Sequence, residues 1–376
     1  MRIGIDARFF GPLETGIGRY VERLIHHLEA IDHRNEYIVF LRAEAWDRWR
    51  PQQPNWRKVL ADYRWYTFKE QLFLPSLYYR AGLDLLHVPH FNVPILYRRP
   101  FVVTIHDLIL DQFRTERATT LEPIVFRAKF AAYRLVLRQA VRKARKIITV
   151  SEHSRQELRR RFALPADRIV VTYEGVDQLP SPVLVTDLAR RGVKRPFLLH
   201  VGNSYPHKNL ERLLAAWQQV SSEIEGQLVL VGKEDYFSRR LRDWAEQQGI
   251  NRVCWFGFAS DAELSALYRY AQAYIFPSLS EGFGLPGLEA MAAGIPVYAA
   301  NASCLPEVFG PAAAYFDPLQ VADIADSIRR AFRDKLEQQR LIKSGHERLR
   351  YFSWSTLARQ TLTVYEQLAK RSPARS

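Results

Sequence analysis

The amino-acid sequence predicts an α/β protein made of two similar halves. Three observations lead there. Short apolar runs alternate with stretches of helical periodicity along the chain. Each half opens with a strand, a glycine-containing loop and a helix: Ile3-Gly-Ile5 before Thr15-Gly-Ile-Gly18, and Phe197-Leu-Leu-His-Val201 before Gly202-Asn-Ser-Tyr-Pro-His-Lys-Asn209. Between them, Leu179-Pro-Ser-Pro-Val183 has the composition of a linker. A chain of 376 residues holds two domains of ordinary size, expected at 1–180 and 181–354.

Composition narrows the class. A hydrophobic content of 47% and a charged content of 25% are those of a globular protein. No apolar run approaches the ~18 residues that span a bilayer. Met1-Arg-Ile-Gly-Ile-Asp6 starts a strand at once, so no secretory signal is expected. Cys254 and Cys304 give neither a disulfide framework nor metal-ligand spacing, and are expected to be reduced in a cytosolic protein. With no D-x-D pair in the chain, no metal site is expected. A net charge of +14 implies an anionic partner: phosphates, nucleic acid or lipid head groups.

In the first half, Ile17, Tyr20, Val21, Leu24, Ile25 and Leu28 recur at helical spacing. Gly16 and Gly18 at the start of this helix either admit a ligand close to the backbone or serve tight packing. Strands are expected at Tyr37–Leu41, Leu85–Val88 and Phe101–Ile105. The aromatic- and proline-rich stretch from Trp46 to Tyr79 reads as irregular structure on the acceptor side. His106-Asp107 follows a strand, at the end where open α/β sheets bind ligands. Lys146–Ser151 is a further strand, with a helix from about Ser154. Ile169–Tyr173 leads into the turn Glu174-Gly-Val-Asp177.

In the second half, the loop carrying Asn203 and Lys208 precedes a helix; its plain reading is a surface lysine beside a capping asparagine. Gln227–Val231 and Val253–Gly257 are strands whose ends carry Lys233 and Phe258. The apolar run Ala273-Tyr-Ile-Phe276 is a buried strand before Ser278-Leu-Ser-Glu-Gly-Phe-Gly-Leu-Pro-Gly-Leu-Glu289. Pro286 suits a helix start, and Gly294 with Pro296 its stop. The turn thus sets backbone N–H groups at a helix N-terminus, an anion site. Glu281 and Glu289 bracket it, which suits a ligand with central phosphates and hydroxyl-rich ends, a nucleotide-sugar. Two alternatives stay open. Gly282–Gly287 matches G-x-G-x-x-G, with Glu307 placed for a dinucleotide ribose, or the segment is an ordinary strand-to-helix turn. Ile295–Ala299 and Ala313–Phe316 complete the sheet, and Phe352-Ser-Trp354 opens a last helix with Leu357, Leu362 and Tyr365 as buried residues.

Glu281 and Glu289, with Gly-Phe-Gly-Leu-Pro between them, resemble the E-x7-E motif of retaining glycosyltransferases of family 4. Gly294-Ile-Pro-Val297 and Asn301-Ala-Ser-Cys-Leu-Pro-Glu-Val308 resemble its branch of bacterial mannosyltransferases of polysaccharide assembly. The resemblance implies a GT-B fold, two Rossmann-like domains facing each other across a cleft, with the C-terminal helix (about 355–376) packing back on the first. It implies that Lys208 and the N–H groups of Gly282, Phe283, Gly284 and Leu285 bind the diphosphate. Glu281 would grip sugar hydroxyls and Glu289 the ribose, with Lys233 and Phe258 flanking the base. Gly16 and Gly18 would face the donor. His106 would hydrogen-bond the donor sugar and stabilise charge near the anomeric carbon. Asn203 and His207 stand where many relatives carry an arginine, and Glu174 replaces the asparagine of an N-G-V-D turn.

The implied reaction is hexose transfer from a nucleotide-sugar, GDP-mannose first and a UDP-sugar second, to a hydroxyl of a glycan or lipid-linked acceptor. Retention needs no nucleophilic carboxylate, metal or separate cofactor in this reading. The rivals are a GT-B nucleotide-sugar epimerase, or a non-catalytic nucleotide- or nucleic-acid-binding protein; no nucleic-acid motif is present, so nucleic acid is not the expected partner. A cytoplasmic enzyme at the inner face of the membrane is expected. Between Pro123 and Ser151 there is no acidic residue, and Arg127, Arg134, Arg138, Arg142 and Arg145 would share one helical stripe, with Phe126, Phe130, Tyr133, Leu137 and Val141 beside it. That stripe is read either as a solvated face or as a dock for an anionic membrane.

Overall fold

The protein is described from a computed structural model covering residues 1–11, 15–113 and 122–369. In chain order the first half gives β1 (Arg2–Asp6), α1 (Thr15–Ile31), β2 (Glu36–Leu41), β3 (Trp56–Leu60), α2 (Phe68–Arg80), β4 (Leu85–Val88), β5 (Phe101–Thr104), α3 (Ile109–Gln112), α4 (Pro123–Lys143), β6 (Lys146–Thr149), α5 (Glu152–Phe162) and β7 (Ile169–Val171). The second gives α6 (Val185–Arg190), β8 (Phe197–Val201), α7 (Leu210–Val220), β9 (Gln227–Val231), α8 (Tyr236–Gln247), β10 (Val253–Gly257), α9 (Asp261–Tyr270), β11 (Ala273–Phe276), α10 (Leu285–Ala292), β12 (Val297–Ala300), α11 (Leu305–Phe309), β13 (Ala313–Phe316), α12 (Val321–Arg333), α13 (Lys335–Leu349) and α14 (Trp354–Ala369).

Two compact units result. One holds Met1–Leu108, Leu121–Gly175 and Ser353–Ser376; the other holds Ile109–Thr120 and Val176–Phe352. The chain thus crosses between units at Gly175/Val176, and the short α3 groups with the second unit. Residues 370–376 of the expected C-terminal helix lie outside the described residues.

The first unit is a seven-stranded sheet in the order β3-β2-β1-β4-β5-β6-β7, and the second a six-stranded sheet in the order β10-β9-β8-β11-β12-β13. Every strand pair is parallel. Parallel strands buried on both faces read as continuous apolar runs, which is why most were legible in the sequence. In each sheet the order reverses once, between β1 and β4 and between β8 and β11. Loops leaving the two strands at such a point part in opposite directions and open a crevice at their carboxyl ends.

The stretch from Trp46 to Tyr79 is irregular only in part. It supplies edge strand β3 and helix α2. Trp56 stacks on Tyr37 at 3.9 Å and so packs against the sheet, whereas Tyr66, Phe68 and Phe73 are exposed. Leu74 and Tyr78 of α2 are buried in one core with Phe40, Val103 and Ile147 and with Leu137 and Val141 of α4. α5 begins before Ser154, because the Ser151 hydroxyl accepts the Ser154 N–H as N-cap. α4 ends at Lys143, so Arg145 leaves the expected stripe. There the Arg168 guanidinium donates to the carbonyls of Val141, Arg142 and Ala144, the orphan acceptors of a helix end.

A polar chain fastens α14 to the first sheet. The Tyr365 hydroxyl lies 2.6 Å from His87 Nδ1 on β4. His87 Nε2 lies 2.8 Å from the Thr104 hydroxyl on β5, which lies 3.2 Å from the Tyr20 hydroxyl on α1. All four residues are fully buried, and burial, with the neighbouring His106 adding to it, pushes the His87 imidazole down to about 3. The chain is therefore neutral at pH 7.

The start of α14 also meets the end of the first sheet's last loop. A Cβ on Gly175 would lie 2.2 Å from the Trp354 backbone nitrogen. Gly175→Ala is expected to destabilise the protein by about 1–3 kcal/mol through overpacking. An unchanged urea midpoint in the variant would mean that this approach relaxes freely.

Candidate active site

At the reversal point of the second sheet, the loop after β8 brings Lys208 and the loop after β11 brings Glu281. Lys208 Nζ donates to Glu281 Oε1 at 2.7 Å, with the two side chains only 14% and 11% exposed. Burial pushes the Glu281 carboxyl up, but the bonded ammonium outweighs it and holds the group below the usual carboxylate range. An acid and a base seventy-odd positions apart in sequence are thus charged partners in one crevice.

Several side chains of no obvious chemistry fix this pair. The Glu281 N–H donates to the Ser303 hydroxyl at 3.1 Å, and the Cys304 thiol donates to the Glu281 carbonyl at 3.2 Å. Asn209, left-handed at φ 61°, donates its amide to the carbonyls of Pro277 and Pro318, tying the loop after β8 to those after β11 and β13. It makes no side-chain cap to α7, so the capping role expected for it does not hold. Burial, with Lys208 adding to it, brings His207 down to about 4, so His207 does not replace the missing arginine as a second cation at pH 7. Asn203 uses its side-chain oxygen locally, accepting the Tyr205 N–H at 3.4 Å.

The turn after Glu281 leads into α10 through Gly284, whose φ of +103° only glycine adopts without strain. Pro286 lies in the first turn of the helix. The N–H groups of Gly282, Gly284 and Leu285 have no protein acceptor among the described residues. Phe283 is buried, edge-on to Phe352. Glu289 is buried on the next turn and accepts the Tyr268 hydroxyl at 2.9 Å. A Cβ on Gly287 would lie 2.3 Å from the Phe309 ring, so that glycine serves packing. A cavity of about 380 Å³ lies at the ends of β8, β9 and β10, lined among others by Gly232, Glu234 and Gly257. The neighbouring Lys233 and Phe258 are exposed and are not among its lining residues.

In the first unit, His106 follows β5. Its Nε2 lies 3.1 Å from the Pro89 carbonyl oxygen and its Nδ1 3.5 Å from Glu174 Oε1. Glu174, the departure in the closing turn, therefore faces the histidine, and both are nearly buried. The Tyr20 ring meets His106 edge-on at 4.7 Å. Gly16 lies in the first turn of α1 with open space where a Cβ would be, whereas Gly18 is buried. Sequence reasoning missed a buried ion cluster after β1: Arg8 donates to both Asp6 oxygens at 2.8 and 2.7 Å and pairs with Glu70 at 2.7 Å. Only the presence of charges beside an apolar strand signalled it. Among the described residues no group of three metal-ligating side chains stands together.

Two parallel α/β sheets, each with one reversal of strand order, are the architecture of the GT-B fold. Residues 15–178 match the model described as Glycosyltransferase Family 4, and residues 189–348 that of Glycosyl transferases group 1. O-antigen chain mannosyltransferase B of Escherichia coli is 31% identical over 350 residues, 88% of this chain and 83% of that protein. Among solved structures, sucrose-phosphate synthase of Thermosynechococcus elongatus superposes with a TM-score of 0.77 at 22% identity, covering 99% of this chain and 100% of its own. Anabaena HepE, in complex with UDP and glucose, superposes at 0.73 and 20% identity over 98% and 100%. The chain belongs to this glycosyltransferase family and is a glycosyltransferase, which disfavours the epimerase and the nucleic-acid readings.

The pair gives a pH signature. Held below the usual range, the Glu281 carboxylate contributes stability that is full above about pH 4.3 and is lost as pH falls through its depressed value. Lys208→Met keeps the aliphatic stem and strands the carboxylate; losing one partner of a buried pair costs about 3–5 kcal/mol. Urea midpoints of wild type and variant should lie far apart at pH 7 and converge in acid. A separation independent of pH would place the effect elsewhere.

Proposed function

We propose that this chain transfers mannose from GDP-mannose to a hydroxyl of a glycan or lipid-linked acceptor, with retention and without a metal ion. The observation that carries it is the buried Lys208–Glu281 pair beside an N–H cradle, in a chain akin to a named mannosyltransferase. In this reading the diphosphate draws Lys208 away from Glu281. The ammonium and the N–H groups of Gly282–Leu285 then neutralise the leaving group, the largest single contribution to catalysis of this kind. Glu281, released, accepts from the sugar hydroxyls, and Glu289 accepts from the ribose. Attack comes from the face the diphosphate leaves, through an oxocarbenium-like state. Gly16, Gly18 and His106 are the first unit's part, with Asn203, Lys233 and Phe258 as further donor contacts. A UDP-sugar is the second reading, supported by the UDP and glucose bound to the structural neighbour HepE.

A thermal-shift screen with GDP, UDP, ADP and TDP names the base, because a ligand of the folded state raises its melting point by mass action. GDP is expected to give the largest shift, and GDP-mannose to yield an α-linked product with chelator present. Glu289→Gln should lower GDP affinity roughly tenfold or more, the loss of about 1.5–3 kcal/mol from a charge-assisted bond. A variant that binds GDP as tightly as wild type would remove Glu289 from the ribose.

The reading extends to location: a cytoplasmic enzyme held peripherally at the inner face of a membrane. No helix among the described residues is long and apolar enough to cross one. Support comes from α4, where Ile124 is 81% exposed and Val125 and Leu135 stand open beside exposed Arg127, Lys129, Arg134 and Arg138. Leu137 and Val141 face the core instead, so the apolar contact falls to the first turns of the helix. Each basic residue near an anionic leaflet contributes roughly 1 kcal/mol, screened by salt. The protein should therefore sediment with anionic liposomes at low salt and be released at high salt. Equal binding to neutral and anionic vesicles, or none to either, would leave the basic face solvated.

A further inference from the structure

The cavity at the ends of β8, β9 and β10 contains one polar atom that the protein leaves unanswered. His200, on β8, is 1% exposed and lines this cavity. Its Nδ1 lies 3.1 Å from the Ile275 carbonyl oxygen, an acceptor, so Nδ1 carries the proton. Burial, reinforced by the Lys208 charge, lowers the imidazole to about 4, against the weaker opposing effects of the Ile275 bond and Glu281. At pH 7 the ring is therefore neutral, and Nε2 presents a bare lone pair. That Nε2 has no hydrogen-bond partner.

Nε2 is itself buried, and the neighbouring position is a glycine. A Cβ on Gly202 would sit 3.4 Å from Nε2 and 3.9 Å from Lys208 Cε. A side chain at 202 would add its Cβ against that nitrogen, in the loop that carries Lys208. An unsatisfied buried acceptor costs about 1–3 kcal/mol, which a ligand returns by supplying a donor. The neutral tautomer also decides which part of a nucleotide-sugar that is. Diphosphate oxygens at pH 7 are acceptors and repel the lone pair. Ribose hydroxyls and base N–H groups are donors.

We propose that His200 is a donor-substrate-binding residue whose Nε2 accepts a hydrogen bond from the nucleoside, from a ribose hydroxyl or a base N–H. It rests on the nucleotide-sugar reading of the second unit. His200 then reads the nucleoside, while Lys208, a few ångströms away, reads the phosphates.

The test is calorimetric titration of wild type and His200→Asn with GDP, UDP, 2′-deoxy-GDP and inorganic pyrophosphate. Asparagine keeps a donor for Ile275 and removes the acceptor. The variant is expected to bind the preferred nucleoside diphosphate about 3–10-fold more weakly and pyrophosphate unchanged. If 2′-deoxy-GDP already binds wild type more weakly and loses nothing further in the variant, the ribose 2′-hydroxyl is the donor; a further loss assigns the 3′-hydroxyl or a base N–H. Unchanged nucleotide affinity, or an equal loss for pyrophosphate, overturns the role of His200. Failure of wild type to bind either GDP or UDP overturns the nucleotide reading itself, and this inference with it. Should His200→Asn fold poorly, the His200 Nε2 nitrogen resonance of the wild-type protein decides: it should move toward a hydrogen-bonded position with GDP or UDP but not with pyrophosphate. A resonance that stays put with every nucleotide overturns the proposal.

Discussion

One largely buried ion pair is the point on which the second unit's loops converge. Lys208 and Glu281 leave neighbouring strands where the strand order reverses, and their bond at 2.7 Å holds the two loops at a fixed separation. Neither charge would persist there alone, since a buried ion without a partner costs several kcal/mol. The pair is thus a structural fastening and, in the proposed function, a store of two opposite charges that separate when an anionic ligand competes for the ammonium. That dual use explains why so many neutral groups are spent on holding it. Ser303 and Cys304 grasp the Glu281 backbone from one side, and Asn209 ties the lysine loop to two proline carbonyls on the other.

The first unit reaches rigidity by a different route. Its reversal point holds a neutral chain through Tyr365, His87, Thr104 and Tyr20, in which no charge has to be compensated. A charged cluster, Asp6 with Arg8 and Glu70, stands beside it and is closed by the short bond from Asn92 to Glu70. Burial holds the Glu70 carboxyl above the usual carboxylate range, against the opposing pull of the Arg8 guanidinium. Networks of this kind specify one arrangement, because each member left unsatisfied would carry the full desolvation cost. His106 is placed on this base with acceptors at both ring nitrogens, Pro89 and Glu174. The glutamate that departs from the resembled turn thereby places a carboxylate 3.5 Å from the histidine, a contact invisible from residue order.

The local readings succeeded where one physical rule acts over a few consecutive residues. Strands β1, β8 and β11 were apolar runs because a parallel strand is covered on both faces. The turn at Gly284 and the stop at Gly294 were legible because positive φ demands glycine. The turn of Gly282–Leu285 and its two glutamates could be read from spacing, because a helix fixes where its first N–H groups point. The stretch from Trp46 to Tyr79 misled for a related reason. Its apolar residues serve an edge strand and a half-covered helix, so neither period dominates.

The sequence by itself determined most of the element types and the division into two α/β halves, and its resemblance to a family pointed to Lys208, Glu281 and Glu289. Tertiary structure alone decided what each of them touches: that Glu281 is paired to Lys208, that Glu289 is held by Tyr268, that Cys304 is a clasp and that His200 has one nitrogen unanswered. The reason is the range of the forces. Propensity and periodicity act between neighbours on the chain. A hydrogen bond or a desolvation cost depends on which distant strands the sheet order brings together, and that order is fixed only when the whole core packs.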